Sequence, residues 1–372
     1  FAGVTLRLFN MFLIPIFGTR KLVTVATLDK VLPCLGLGFA IMNPQTPFWV
    51  FLALAFLVGH GGGTFSSYMP STSLFFPKRL LGTALGIQAG IGNFGVSLAQ
   101  FVTPWIITFA VAGGLFGGAQ TFTKAGKNSQ IWLQNAVFWY VPFLLFTAIA
   151  AWFWLRRVPV KASFLEQLDI FRNKHTYYCT ITYIMTFGSF SGLAAVFPLL
   201  IRIVYSDFEG APDPLKYAFL GPLIGSAMRV VAGPLADKFG GAILTQVCGL
   251  GLIACTAILG FGDLLTPSSL DQFPVFVWVM LALFFFTGIG NASTFRQFPV
   301  IFSHCPRQAA GVIGFTSAIA AFGPFLFAAL IGSAISAFGS AKLFFIGMLV
   351  YCAAASAINW WFYARRGAEK PS

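Results

Sequence analysis

Apolar runs of about 20 residues recur from one end of this chain to the other, each long enough to cross a hydrocarbon core about 30 Å thick. No water is present in such a core to satisfy bare peptide groups, so segments of this kind fold as transmembrane helices. Of the 372 residues, 58% are hydrophobic and only 9% charged, where a soluble domain carries about a quarter charged residues. The chain reads as an all-α integral membrane protein. Hydropathy places helices near 2–17, 22–42, 48–70, 82–110, 132–155, 176–201, 217–237, 241–262, 275–302, 310–337 and 342–364, eleven in all.

The net charge of +13 invites a nucleic-acid reading until positions are considered. With the turn at 18–21 cytoplasmic, alternation puts Arg20, Lys21, Lys78, Arg79, Arg156, Arg157, Lys161, Arg172, Lys174, Lys238, Arg307, Arg365, Arg366 and Lys370 inside. The other side receives Lys124, Lys127, Arg202, Lys216 and Lys342. Fourteen against five is the positive-inside bias, so the basic excess reports topology in a plasma membrane, of bacterial inner-membrane type, and no nucleic-acid partner. The six cysteines stand singly, mostly inside apolar helices, and read as small packing residues. Neither a metal-ligand cluster nor a cofactor motif is present in the sequence, and no nucleophile or acid pair suggests an enzyme.

The basic connection "RRVPVKASFLEQLDIFRNKH" (156–175) separates five helices from six. It is expected to be a cytoplasmic linker between an N-terminal bundle (1–155) and a C-terminal bundle (176–372). Self-comparison across it finds an ordered repeat. Arg7 followed by Gly18 matches Arg229 followed by Gly240; Thr64–Phe65 matches Thr294–Phe295; "GIQAGIGNFG" (86–95) matches "GFTSAIAAFG" (314–323). The offsets, 229 − 7, 294 − 64 and 314 − 86, are 222, 230 and 228. A same-direction repeat of this length is the parallel two-bundle arrangement of major facilitator transporters. Six helices belong in each half, so one more is expected before Phe1.

Two arginines stand far from any interface. Arg7 lies thirteen residues before Arg20 and Arg229 nine before Lys238, which at 1.5 Å per residue is about 20 Å and 14 Å into the membrane. Snorkelling spans a few ångströms, not half a bilayer. Pairing with an acid fails by elimination among the ten acids. Glu166, Asp169 and Glu369 are cytoplasmic; Asp207, Glu209, Asp213, Asp263 and Asp271 are on the other side; Asp237 caps a helix end; Asp29 has Lys30 beside it. An unpaired intramembrane charge is functional by default. Two of them make a site whose counter-ion is a small anionic substrate, suited to the planar guanidinium fork. The glycines of 86–95 fit this: small residues let helices approach closely, and Gly90 beside Asn93 leaves room for an anion and exposes donors to it.

The chain resembles the nitrate/nitrite porters (NarK-type) of the major facilitator superfamily. "FSSYMPSTSLFFPKRLLGTALGIQAGIGNFGVSLAQFVTPWI" is similar to that family's first signature with its lead-in, and "GFTSAIAAFGPF" to the second. "TFGSFSGL", "KYAFLGPLIGSAMRVVAGPLADKFGG" and "STFRQFPVIF" match in order, so the resemblance runs from Arg7 to the C-terminus. It implies that Arg7 and Arg229 clamp the anion, that Phe65 and Phe187 sandwich its plane, and that Tyr183, Asn93, Gly90, Gly314 and Ser317 complete the pocket. Three positions depart from the family pattern: Ala89 for a usual glycine, His60 for an aromatic and Arg296 for glutamine.

The expected activity is alternating-access exchange of nitrate for nitrite by a monomer in the lipid bilayer, without cofactor. An empty, doubly positive site would resist reorientation. Proton-coupled nitrate symport is the alternative, with His60, about twelve residues into its helix, as the titrating group. An anion channel is a third reading, although it asks for a continuous polar pore.

Overall fold

The computed structural model describes residues 2–111, 117–124, 127–158 and 161–372. Pro159 and Val160 of the expected linker, and the side chains of Lys124 and Lys127, lie outside the described set. The first half contains α1 (Ala2–Asn10), α2 (Leu13–Phe17), α3 (Thr19–Asp29), α4 (Val31–Met42), α5 (Phe48–Gly63), α6 (Phe65–Ser73), α7 (Leu81–Ile106), α8 (Asn135–Phe138) and α9 (Tyr140–Trp154). The second contains α11 (Lys174–Tyr183), a π-helical turn (Ile184–Gly188), α12 (Ser189–Tyr205), α13 (Leu215–Ala218), α14 (Leu220–Phe239), α15 (Gly241–Phe261), α16 (Phe273–Ile301), α17 (Pro306–Ala320), α18 (Gly323–Phe338) and α19 (Lys342–Asn359). Between them, α10 (Phe164–Gln167) belongs to the linker.

Joined end to end, these segments make the eleven passages expected from hydropathy, and nine stretches among the described residues are long and apolar enough to cross a membrane. The other two passages differ for physical reasons. Residues 2–17 are cut into two short helices, and α7 is diluted by Gln88, Asn93, Ser97 and Gln100. One element was not anticipated: β1 (Gln120–Lys124) and β2 (Lys127–Ile131) form an antiparallel hairpin between α7 and α8.

Three interruptions have a common cause. A helical proline lacks an N–H and its ring crowds the carbonyl four residues earlier. Pro15 stands four after Met11, Pro33 four after Asp29, and Pro324 four after Ala320, where α1 gives way to α2, α3 to α4, and α17 to α18. Pro198 and Pro234 remain within unbroken α12 and α14. The break between α5 and α6 follows the run Gly61–Gly62–Gly63 instead.

Glycines bring the halves together. A Cβ at Gly82 would meet the Gly233 carbonyl at 2.7 Å, at Gly86 the Arg229 carbonyl at 2.7 Å, and at Gly90 the Val230 side chain at 2.6 Å. Thus α7 lies backbone to backbone on α14. At the basic end, Asp237 of α14 caps α7 from across the interface, accepting from the Gly82 and Thr83 amides at 2.8 and 2.7 Å and from the Thr83 hydroxyl at 2.8 Å. Asp237 therefore caps a helix of the opposite half, where the positive end of the dipole favours a carboxylate.

The linker is strapped beneath both halves. Ser163 and Glu166 form a capping box that starts α10. Phe164 packs edge-on against Phe12 of the first half at 4.7 Å, and Phe171 against Phe315 of the second at 5.0 Å. Asp169 takes bonds from Arg307 and from the Gln308 amide at 2.8 Å.

Candidate functional site

The two arginines use the repeat in a way that the sequence did not reveal. Arg7 reaches from α1 into the second half, where its Nη1 donates to the Ser317 carbonyl at 3.0 Å. Arg229 reaches from α14 into the first half, where its Nη1 donates to the Ala89 carbonyl at 3.4 Å. Ala89 and Ser317 are 228 residues apart, the spacing of the Gly86 and Gly314 counterparts. Each arginine thus donates to the corresponding carbonyl of the opposite half.

Their surroundings then diverge. Arg7 also donates Nε to the Gly62 carbonyl at 2.7 Å, just before the α5–α6 break. Arg229 is fully buried, and its Nε and Nη2 have no partner among the described residues. Among the described residues no carboxylate lies within ion-pair distance of either guanidinium. Buried donors without acceptors are costly, so Arg229 stands ready for an anion.

Aromatic rings line the space between them. Phe187, carried on the π-helical turn, has its centroid 5.6 Å from the Cζ of Arg7 and 5.6 Å from that of Arg229. Phe65 begins α6 and lies 5.0 Å from Arg7. The Phe65 and Phe187 rings are parallel to within 1°, with centroids 5.6 Å apart. A plane held between two ring faces needs about 7 Å, twice a van der Waals contact of ~3.5 Å. The expected sandwich therefore requires these rings to part.

Tyr183 is fully buried one turn before Phe187 and stacks on it at 5.4 Å. Ser317 supplies the carbonyl for Arg7, and its hydroxyl donates to the Ile313 carbonyl at 2.6 Å. Asn93 donates its amide to the Ala89 carbonyl at 2.8 Å, the same oxygen that Arg229 uses. Gly90 and Gly314 are occupied differently from the sequence reading. A Cβ at Gly90 would strike Val230 and the Ser226 carbonyl; one at Gly314 would approach Met11 at 2.9 Å and the Ser66 carbonyl at 3.0 Å. Both glycines serve helix contact across the halves rather than open room for a ligand. Gly92 and Gly95 have nothing within 4 Å of a Cβ.

A model of the Major Facilitator Superfamily matches residues 1–301. The chain is 61% identical over 371 residues to the "Probable nitrate/nitrite antiporter NarK2" of Thermus thermophilus, covering all of this chain and 83% of that one. It is 35% identical over 389 residues to the "Nitrate/nitrite transporter NarU" of Salmonella typhimurium, covering 98% and 81%. The chain belongs to the NarK-type porters of the major facilitator superfamily. Solved structures agree in fold: the proton:xylose symporter XylE (TM-score 0.68, 15% identity, 100% of this chain and 85% of that one) and the Escherichia coli fucose:proton symporter FucP (TM-score 0.69, 13% identity, 95% and 86%). It is a multi-pass protein of the bacterial inner membrane and a transporter.

Two of the three departures from the family pattern acquire partners. Arg296 places its Nε 2.8 Å from Asp237 and is neutralised there. His60 is not a lone titratable group, because its Nδ1 contacts the Asp29 carboxylate. This corrects the reading of Asp29 as the partner of Lys30. Lys30 turns instead toward the Thr64 hydroxyl at 3.4 Å and the Tyr68 ring at 5.7 Å. Sequence reasoning also missed Phe190, 3.9 Å beneath Arg229, and Asn291, bonded to Tyr183. Phe295, 5.1 Å from Tyr183, was visible only as half of the repeated Thr–Phe pair.

Proposed function

We propose that this protein exchanges nitrate for nitrite by alternating access, with one anion held between Arg7 and Arg229. The observation that carries the reading is the pair of guanidiniums from opposite halves that have uncharged carbonyl partners and no carboxylate. The nitrate/nitrite antiporter and transporter among the relatives point to the anions; the donor set suits them, since a guanidinium fork matches planar oxygens. Phe65 and Phe187 part to admit the anion's plane, Tyr183 donates to one oxygen, and Asn93 and Ser317 hold the carbonyls that orient the arginines. Gly90 and Gly314 let the halves close over the site and rock on one another.

Exchange follows from charge. Each uncompensated arginine in the membrane costs about 2.5–3.5 kcal/mol even on the mildest scales. A bound monovalent anion reduces that cost, and an empty site retains it in full. Reorientation therefore runs with the anion aboard. Purified protein in vesicles should take up nitrate only against internal nitrite or nitrate, at a rate indifferent to an imposed proton gradient. Gradient-driven accumulation into vesicles that hold neither anion would overturn exchange. It would favour proton symport through the Asp29–His60 pair.

A further inference from the structure

Asn291 takes no part in the clamp described above, yet it is fully buried and points its amide at the site. Its Nδ2 donates to the Tyr183 hydroxyl oxygen at 3.0 Å, joining α16 to α11. A phenol has one proton to give. With Asn291 donating to the oxygen, that proton must go to another acceptor. Among the described residues the Tyr183 hydroxyl has Asn291 as its hydrogen-bond partner, which leaves the phenolic proton for an acceptor entering the space beside Phe187.

We propose that Asn291 is a positioning residue for the anion site. By donating to Tyr183 it keeps the phenolic proton aimed toward the space between Arg7 and Arg229, where an anion accepts it. It touches no anion itself. Tyr183 stacks on Phe187 at 5.4 Å, and that ring lies 5.6 Å from the Cζ of each arginine, so the phenol sits where an anion would be drawn. Asparagine suits the task because it donates without carrying charge. Aspartate could only accept; it would claim the phenolic proton and neutralise the field of an arginine. The Asn291 Oδ1 has no partner among the described residues, which leaves the bond to Tyr183 as the side chain's one anchor.

The inference rests on the function proposed above, and a double-mutant cycle separates the two. Nitrate–nitrite counterflow is measured in vesicles for the full chain, Tyr183→Phe, Asn291→Ala and the double variant, at matched protein content. Each single variant should raise the half-saturation concentration for nitrate about tenfold, the worth of one hydrogen bond to a charged group. The double should match Tyr183→Phe within about twofold, because Asn291 acts only through the hydroxyl. Asn291→Asp should lose uptake, and Asn291→Ser, which retains a donor, should recover part of the affinity and replaces Asn291→Ala in the cycle if alanine prevents assembly. An additive double, about a hundredfold weaker than the original, makes Asn291 a packing residue and overturns the proposal. An unchanged half-saturation in Asn291→Ala overturns it as well. An unchanged half-saturation in Tyr183→Phe instead removes the anion from this site, and the proposed function falls with it.

Discussion

The two halves carry the same ordered motifs but are built with different stiffness. The first is jointed at Met11–Phe12, Lys30 and Thr64, where the counterpart helices α14, α15 and α16 run on, while the second breaks instead between α17 and α18, opposite unbroken α7. The second is cross-braced. Gln297 donates to Asn359 at 3.1 Å, Asn359 to the Ala242 carbonyl at 2.9 Å and to Gln246 at 3.0 Å, and Thr245 shares a proton with Ser293 at 2.8 Å. The arginines follow the same division. Arg7 sits beside a joint with two carbonyl partners, whereas Arg229 is fixed within the braced half with most of its donors free. A sequence repeat thus preserves what each half places at the centre without preserving how firmly it is held.

The sharpest way to break this comparison is to jam the contact that joins the halves. Gly90→Leu and Gly314→Leu should each reduce counterflow by more than a hundredfold while the protein still reaches the membrane, since a side chain there meets backbone. Gly92→Leu and Gly95→Leu, facing open space, should stay within about twofold. Equal tolerance at all four positions would refute close approach.

Next come the arginines. Arg229→Lys should weaken nitrate exchange on the order of a hundredfold, because lysine keeps the charge but loses the fork and the two free donors. Arg7→Lys should cost roughly tenfold, its donors being already engaged by carbonyls. A more severe loss at Arg7, measured as half-saturation at matched expression, would reverse the assignment of the stronger anion ligand.

The rings should follow with smaller effects. Phe187→Ala should raise the half-saturation concentration about tenfold and Phe65→Ala about threefold, because Phe187 faces both guanidiniums and Phe65 one. Leucine should recover only part of either loss.

The smallest expected effect lies in the strap. Burial raises the Asp169 carboxyl, but the bonds from Arg307 and Gln308 outweigh it and hold the group below its ordinary range. Its contribution is therefore present above about pH 4 and is lost as pH falls through the depressed value. Asp169→Asn at neutral pH should lower thermal stability by less than about 1 kcal/mol and quicken tryptic cleavage near Lys161. The two proteins should converge on acidification. A variant whose strap stays as protected as the original would show that the aromatic contacts alone hold it.

Much of this was legible in the sequence because membranes make charge and length expensive to misplace. Arg7 and Arg229 stood out by depth alone, and the paired glycines by their common offset. What escaped notice was relational. Asp29 and His60 are 31 residues apart, and no local pattern says that a carboxylate will turn from an adjacent lysine to a distant imidazole. Asn291 and Phe190 sit in helices that carry apolar side chains outward as well as inward, Trp278 exposed and Phe284 buried among them, so periodicity marks neither. The breaks at Asp29 and Ala320 were available from Pro33 and Pro324, yet Pro234 leaves α14 intact, and the rule alone would have overpredicted. The hairpin at 120–131 was passed over because short alternating polar segments carry little signal beside 20-residue apolar runs.

That Arg7 and Arg229 are each partnered by carbonyls has an electrical consequence. A carbonyl holds the same charge at every pH and on either side of a membrane, so the centre of this protein has no internal counter-charge to gain or shed. One monovalent anion traded for another there moves no net charge. A voltage of 100 mV, which exerts about 2.3 kcal/mol on each elementary charge carried across, then has no purchase on the cycle. Under the proposed exchange, the ratio of the two anions on each side sets the direction of flow, even when the cell's energised membrane collapses.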